Sequence, residues 1–168
     1  MSATNGTTVD TSSLRALQDR TDIADVLYRY SSSVDSFDND GVRSALADDI
    51  VAQYGNGEAV IGGDKLAAWI AEATATAIWQ HHLLNVYHVA VDGDEAKALS
   101  YLTSYQVFEE NPDAAVILVA RYHDELRRTP AGWKISHRIM ELLWAETKAD
   151  EGYLSTLGGR GPKVWQRS

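Results

Sequence analysis

Cysteine is missing from this chain of 168 residues, and its absence excludes three kinds of chemistry. A chain without thiols forms no disulfide, no thiolate metal site and no cysteine nucleophile. The first residues also have neither the basic start nor the apolar stretch of a signal peptide. We therefore expect a cytoplasmic location.

A basic surface and a long apolar run are missing as well. The chain has 24 acidic and 15 basic residues, a net charge of −9, with no basic cluster that would attract a polyanion. The longest apolar run, Ala114 to Ala120, is far shorter than the roughly 20 residues of a membrane span. We expect neither nucleic acid nor a membrane as a partner.

Two common catalytic motifs and a metal site are also missing. The glycines at 62–63 and 158–161 lack the strand, helix and lysine of a phosphate-binding loop, and serines 31–33 do not sit in a nucleophile elbow. His82 and His88 share a predicted strand face but stand roughly 20 Å apart along it, too far to chelate one ion. The sequence predicts no metal site and no cofactor.

The composition that remains, 45% hydrophobic and 23% charged, suits one globular domain with a substantial core. A Ser/Thr/Asn/Gly-rich start predicts a flexible tail over residues 1–12, followed by a single domain over 13–146. Residues 147–168 carry apolar anchors, such as Tyr153 and Trp165, in a loop-like setting. We expect this segment to pack on its own or a neighbouring subunit.

Helical periodicity dominates the first half of the chain. Spacing of i, i+3, i+4, i+7 and i+11 predicts an amphipathic helix that begins near Thr21, with its apolar positions at Ile23, Val26, Leu27, Tyr30 and Val34. Whether the turn at 13–19 belongs to the same helix stays open. A short helix at about 42–46, a strand at 50–54 and a third helix capped by Asp64 follow.

Extended segments dominate the second half. Four of them, at 81–91, 95–109, 114–128 and 133–146, are separated by the turn sequences DGD, NPD and TPAG. Helices followed by a meander of long strands indicate an α+β fold, with the helices covering one face of a curved sheet.

Two adjacent histidines, His81 and His82, begin the first of these long segments. Because successive side chains on a strand point to opposite faces, only one of them can face an interior. Alternation groups His82 with Leu84 and Val86, but both faces are mixed, so alternation alone leaves the choice open.

Asp35 lies near the C-terminal end of the first helix, with no cation close in sequence. A carboxyl group there is a candidate base, or a partner that holds a histidine in one tautomer. The alternative is an ordinary turn residue before SFDND.

Three stretches together resemble the SnoaL-like family within the nuclear-transport-factor-2-like superfamily. They are IADVLYRYSSSVDSFDNDGVRSALADDIVAQYG, HHLLNVYHVAVDGDEAKALSYL and ARYHDELRRTPAGWKISHR, and the resemblance extends over residues 14–145. It implies a cone-shaped α+β barrel, in which a strongly curved, mixed or largely antiparallel sheet surrounds a pocket that the N-terminal helices close.

The lyase branch of that superfamily, which includes scytalone dehydratase, uses an Asp–His pair across the pocket with a tyrosine from the first helix. The matching positions here are Asp35, His82 and Tyr30. The resemblance thus implies a cofactor-independent lyase or isomerase, dehydratase-like, in which His82 moves a proton of a small apolar cyclic substrate.

Several expectations accompany this hypothesis. Tyr28 competes with Tyr30, because on an ideal helix Tyr28 nearly eclipses Asp35, whereas Tyr30 is about 140° away. The expected substrate contacts are Tyr28, Leu84, Val86, Tyr122 and Trp69. Alternative functions are a polyketide cyclase, a ketosteroid-isomerase-like enzyme, or a non-catalytic ligand-binding or assembly module of the same fold. An exposed outer sheet face predicts a homodimer or homotrimer.

Overall fold

The computed structural model describes residues 11–149, which form three helices and one six-stranded sheet. The elements are α1 Thr11–Asp35, α2 Asn39–Ala45, β1 Leu46–Tyr54, β2 Val60–Ile61, α3 Gly63–Ala73, β3 Ala77–Asp92, β4 Glu95–Phe108, β5 Ala114–Thr129 and β6 Gly132–Ala149. The predicted α+β architecture, with helices first and a meander of long strands afterwards, is confirmed.

The sheet is mixed and has the strand order β2-β1-β6-β5-β4-β3. Strands β3 to β6 form an antiparallel meander, whereas β1 joins β6 in parallel. Gly93 and Gly132 adopt positive φ angles of 61° and 94° in two of the connecting turns, a conformation that other residues rarely tolerate. Short turns let each long strand pair along most of its length.

Helix α1 contacts both β3 and β6, which lie at the two ends of the meander. The curved sheet therefore wraps around the helix, and side chains far apart on the helix circumference can both face it. The predicted apolar stripe fills the space between helix and sheet, with Ile23 and Leu27 fully buried. This burial of apolar surface is the main stabilisation of the helix, because a long helix gains little from propensity alone.

The helix boundaries answer the question left open above and correct one prediction. Helix α1 is continuous from Thr11, although Leu14 and Leu17 in its first turns are exposed. Helix α3 begins after Gly62, so Asp64 is not its cap; the Asp64 carboxylate instead binds the Arg43 guanidinium.

The predicted domain limits differ slightly from the observed elements. Thr11 already belongs to α1, and β6 extends to Ala149, so the ends of both predicted tails are part of the domain. The predicted docking of the C-terminal segment falls mainly on residues 150–168, which lie outside the described residues.

A bulge in β3 overturns one part of the alternation argument. The register between β3 and β4 shifts between Val86 and His88, which places an extra residue in β3. Beyond the bulge Val89 is buried and His88 is exposed. The prediction that His82 and His88 share a face was therefore wrong.

Within residues 11–149, no helix has both the length and the apolar character that a membrane crossing requires.

A buried ion pair ties α1 to the hairpin turns of the sheet. Asp19 is 5% exposed, binds Arg128 at 2.7 Å and accepts a hydrogen bond from the Trp133 indole at 3.4 Å. The Arg128 guanidinium also binds Asp94 at 2.9 Å and lies 4.4 Å from the centre of the Trp133 ring. Burial alone would raise the pKa of Asp19, but the hydrogen bonds from Arg128 and Trp133 bring it below its ordinary value.

Asp19→Asn should lower the free energy of unfolding by about 2 kcal/mol at pH 7, because it removes the charge that pairs with Arg128. Since the folded-state pKa is lowered, this stabilisation is present above the ordinary pKa of 3.8 and is lost as the pH falls through the folded-state value. Urea unfolding at pH 7 and at low pH measures the difference. The control is Asp22→Asn on the same helix, which should have little effect, and equal losses in both variants would contradict the account.

Candidate active site

Asp35 and His82 form a two-point contact between the end of α1 and strand β3. The backbone N–H of His82 donates to Asp35 Oδ2 at 2.9 Å, and Nδ1 of its imidazole lies 2.5 Å from Asp35 Oδ1. The His82 side chain is 9% exposed and the Asp35 side chain is 22% exposed. Both oxygens of the carboxylate are therefore occupied by the same residue, which fixes the position and the rotation of the imidazole.

The contact also fixes the tautomer of a neutral His82. An ionised carboxylate can only accept hydrogen bonds, so the hydrogen belongs on Nδ1 and the lone pair on Nε2. Among residues 11–149, no group forms a hydrogen bond with Nε2. The free nitrogen is the one that can accept a proton.

His81 points away, as strand alternation requires of one member of the doublet. Its side chain is 55% exposed, and its Nδ1 is 3.9 Å from Asp35 Oδ2, beyond hydrogen-bond distance. The structure thus brings His82 and Asp35 together and leaves His81 at the surface.

Gln80 holds the end of α1 in place, two residues before His82 on the same face of β3. Its side-chain amide donates to the Val34 carbonyl at 2.5 Å, and its own oxygen accepts from Gln106 at 3.4 Å. The Val34 carbonyl also accepts from the Phe37 N–H at 3.1 Å, so the Gln80 amide is its second donor. The bond from Gln80 also positions Asp35, the next residue along the chain.

Tyr30, and not Tyr28, faces the interior. Tyr30 is 3% exposed, and its hydroxyl lies 2.7 Å from the hydroxyl of Tyr54 in β1. Tyr28 is 46% exposed. The expectation that Tyr28 contacts substrate is therefore corrected: the sheet wraps around α1 far enough to bury Tyr30 while Asp35, elsewhere on the circumference, still reaches β3.

A fully buried arginine, Arg138, stacks on the rings of Tyr30 and Tyr122. Arg138 binds Asp124 through two hydrogen bonds of 2.7 and 2.9 Å, and both side chains are 0% exposed. The guanidinium lies 4.2 Å from the centre of the Tyr30 ring and 4.0 Å from that of Tyr122. Burial of both charges is tolerated because they neutralise each other in a bidentate geometry.

The tyrosines keep their protons over the whole physiological range. Burial raises the pKa of Tyr30 well above its ordinary value of 10, and burial likewise raises the pKa of Tyr122. Asp35 is close enough to Tyr122 to add to that rise. Tyr30 can thus act as a hydrogen-bond donor and does not act as a base.

The remaining predicted contact residues differ in their burial. Leu84 and Val86 are half-buried and pack against the core beside His82. Trp69 is 40% exposed and packs on Tyr54, with 5.0 Å between ring centres. A cavity of about 320 Å³ opens there, lined by Tyr54, Trp69 and residues 57–60.

Sequence reasoning missed Tyr54 and did not select Arg138 or Asp124. The pattern Tyr122-x-Asp124 did place two polar residues on one strand face, which was a signal for a polar interior. Their pairing with Arg138 depends on the register of β5 and β6, where Asp124 lies opposite Arg138.

No cluster of three or more histidine, aspartate or glutamate side chains suited to a metal occurs in the part of the chain that the structure describes.

Comparisons with known proteins agree with the fold and the resemblance. The model of the SnoaL-like domain matches residues 15–139. An uncharacterized protein of Mycobacterium tuberculosis is 27% identical over 132 residues, which cover 76% of this chain and 87% of that protein.

Solved structures share the same architecture. A proposed aromatic ring hydroxylase of Novosphingobium aromaticivorans has a TM-score of 0.72 at 26% identity, over 79% of this chain and 94% of that one. A hexachlorocyclohexane dehydrochlorinase, LinA type 2, has a TM-score of 0.73 at 18% identity, over 82% and 93%. A proposed scytalone dehydratase of N. aromaticivorans has a TM-score of 0.71 at 16% identity, over 80% and 93%.

Because the family model matches most of the chain and the fold agrees with it, this chain belongs to the SnoaL-like family of the nuclear-transport-factor-2-like superfamily.

Proposed function

We propose that this protein is a cofactor-independent lyase of the dehydratase type that acts on a small cyclic substrate. The observation that carries the proposal is the double hydrogen bond from His82 to Asp35, which leaves Nε2 as a free proton acceptor. A positioned histidine of this kind is a general base, and the carboxylate behind it stabilises the imidazolium that forms.

The reaction needs only one base. Nε2 of His82 takes a proton from a ring carbon next to a carbonyl group, and the electron pair of that C–H bond moves into a new C=C bond. The hydroxyl group on the following carbon leaves as water after it receives the proton from the imidazolium. His82 returns to its neutral form, so the cycle balances without a cofactor or a metal.

The tyrosine pair supplies the electrostatic part of the mechanism. In the contact between the Tyr30 and Tyr54 hydroxyls, one hydroxyl donates its hydrogen to the other. The accepting hydroxyl keeps its own hydrogen free to bond a substrate carbonyl. A hydrogen bond there stabilises the negative charge that builds on the carbonyl oxygen as the proton leaves carbon. The stack on Arg138 holds the Tyr30 ring in position for this role.

The names of two structural relatives support the same reaction class. A dehydratase removes water and a dehydrochlorinase removes hydrogen chloride, and both are eliminations. An isomerase would use the same first step and return the proton to another carbon. A cyclase with Asp35 as its base is less compatible with the geometry, because both oxygens of that carboxylate already accept hydrogen bonds from His82.

A homo-oligomer is part of the proposal. The outward face of the meander carries exposed apolar side chains, among them Leu83, Tyr87 and Ile139, and such a face is typical of a contact between subunits. A module that only binds ligands or assembles through this face is the non-catalytic alternative, and the assay below separates it from the enzyme.

A dehydration assay tests the proposal. We expect the wild-type protein to convert 3-hydroxy-1-tetralone into 1-naphthol, whose fluorescence reports the loss of water, faster than buffer does. His82→Gln and Asp35→Asn should each lower kcat by about 100-fold or more, since general-base catalysis contributes roughly that much. His88→Gln, an exposed histidine on the same strand, is the matched control. Wild-type turnover in His82→Gln would refute the assignment of the base.

The tautomer of His82 can be measured without a substrate. In ¹H–¹⁵N spectra recorded above the titration of the imidazole, we expect the hydrogen of His82 on Nδ1, because Asp35 accepts it. Asp35→Ala should release the ring into a mixture of tautomers, and the exposed His88, which has no contact with Asp35, serves as an internal reference. A hydrogen on Nε2 in the wild type would contradict the proposed role.

A further inference from the structure

Three buried serine hydroxyls have no hydrogen-bond partner among residues 11–149. They belong to Ser31, Ser100 and Ser104, and the last two residues are 0% exposed. Most buried polar groups in folded proteins are hydrogen-bonded, so each buried group without a partner needs an explanation. Three such hydroxyls in one small region are unusual.

All three lie on α1 or on β4, the strand that pairs with the strand of His82. Ser104 in β4 lies directly opposite His82 in β3, and Ser100, further along the same face, lies opposite Val86. Ser31 precedes Asp35 by four residues, one turn of α1, on the same side of the helix. Ser104 is therefore next to His82, and Ser100 lies roughly 13 Å further along the same face of β4.

Strand β4 cannot satisfy Ser100 and Ser104 from its own backbone. It lies between β3 and β5 and is paired with both at these residues, so its N–H and C=O groups are engaged in the two ladders. Alanine would fit the same positions without an unpaired hydroxyl and would cost less free energy. The hydroxyls thus carry a stability cost that a ligand oxygen would relieve.

The side chains that cover this region are only half-buried. Leu102, which separates the two serines on β4, belongs to a small cluster covered by the half-buried side chains of Tyr54, Leu84 and Met140. Methionine is unbranched and adapts its shape readily. A ligand beside His82 has to displace the half-buried side chains of Leu84 and Met140 to reach the two serines.

We propose that Ser100 and Ser104, which stand roughly 13 Å apart along β4, recognise oxygen substituents at opposite ends of the substrate's ring system. The substrate then carries at least one hydroxyl or carbonyl group besides those that react, and it is an oxygenated ring compound and not a plain hydrocarbon or halocarbon. The inference rests on the proposed function only for the position of the ring, since recognition itself requires no turnover.

Binding of inert ligands tests the proposal separately from catalysis. The probes are 1-naphthol and a set of dihydroxynaphthalenes, measured by isothermal titration calorimetry. We expect the wild type to bind at least one dihydroxynaphthalene about tenfold more tightly than 1-naphthol, as one or two extra hydrogen bonds allow. In the double variant Ser100→Ala/Ser104→Ala this preference should fall below about threefold, with the affinity for 1-naphthol unchanged.

Thermal unfolding and a matched variant make the outcome decisive. The ligand-free double variant should unfold at the wild-type Tm or above it, because unpaired hydroxyls have been removed. Thr103→Val removes a hydroxyl between the two serines on the opposite face of β4 and should keep the preference. An unchanged preference in the double variant overturns the proposal, as does a wild type that binds both kinds of naphthol equally or not at all. Loss of turnover with intact selective binding would instead count against the proposed function alone.

Discussion

The carboxylate of Asp35, which accepts two hydrogen bonds from His82, is the interaction on which the functional arrangement depends. It joins the last residue of α1 to the first half of β3, so the helix end and the strand fix each other. Gln80 strengthens the same junction by bonding the Val34 carbonyl. The imidazole thereby gains a single orientation and tautomer, which is what a base needs if no reorganisation is to accompany each turnover. The orientation of the imidazole is thus a consequence of how the helix docks on the sheet.

The interior beyond this pair is polar. Arg138 binds Asp124 through two hydrogen bonds, whereas its Nη1 has no hydrogen-bond partner among residues 11–149. The Arg138–Asp124 pair is neutral overall, and its guanidinium fills the gap between the rings of Tyr30 and Tyr122. Those contacts make the tyrosine ring rigid while burial keeps its proton in place. The unpaired serine hydroxyls stand out against this background. We infer that substrate oxygens supply the hydrogen-bond partners that these hydroxyls lack.

Local patterns predicted the helices, the meander and the fact that only one of the two histidines faces the interior, because each depends on residues close in sequence. The choice of His82 came from the family resemblance. The spacing of Ile23, Leu27 and Tyr30 gave the buried stripe of α1. Helical periodicity could not decide between Tyr28 and Tyr30, because the answer depends on how far the sheet wraps around the helix. The bulge after Val86 and the Asp124–Arg138 pairing were also unpredictable, because both are set by the register between strands. The family resemblance added the Asp35–His82 pairing.

The most direct test of the central claim is removal of a proton from carbon without any leaving group. The protein is incubated with 1-tetralone in D₂O, and deuterium incorporation at the carbon next to the carbonyl is followed by mass spectrometry. A positioned His82 with Asp35 behind it predicts incorporation well above the buffer rate in the wild type and incorporation at the buffer rate in His82→Gln. Equal incorporation in the two proteins would contradict the assignment of His82 as the base.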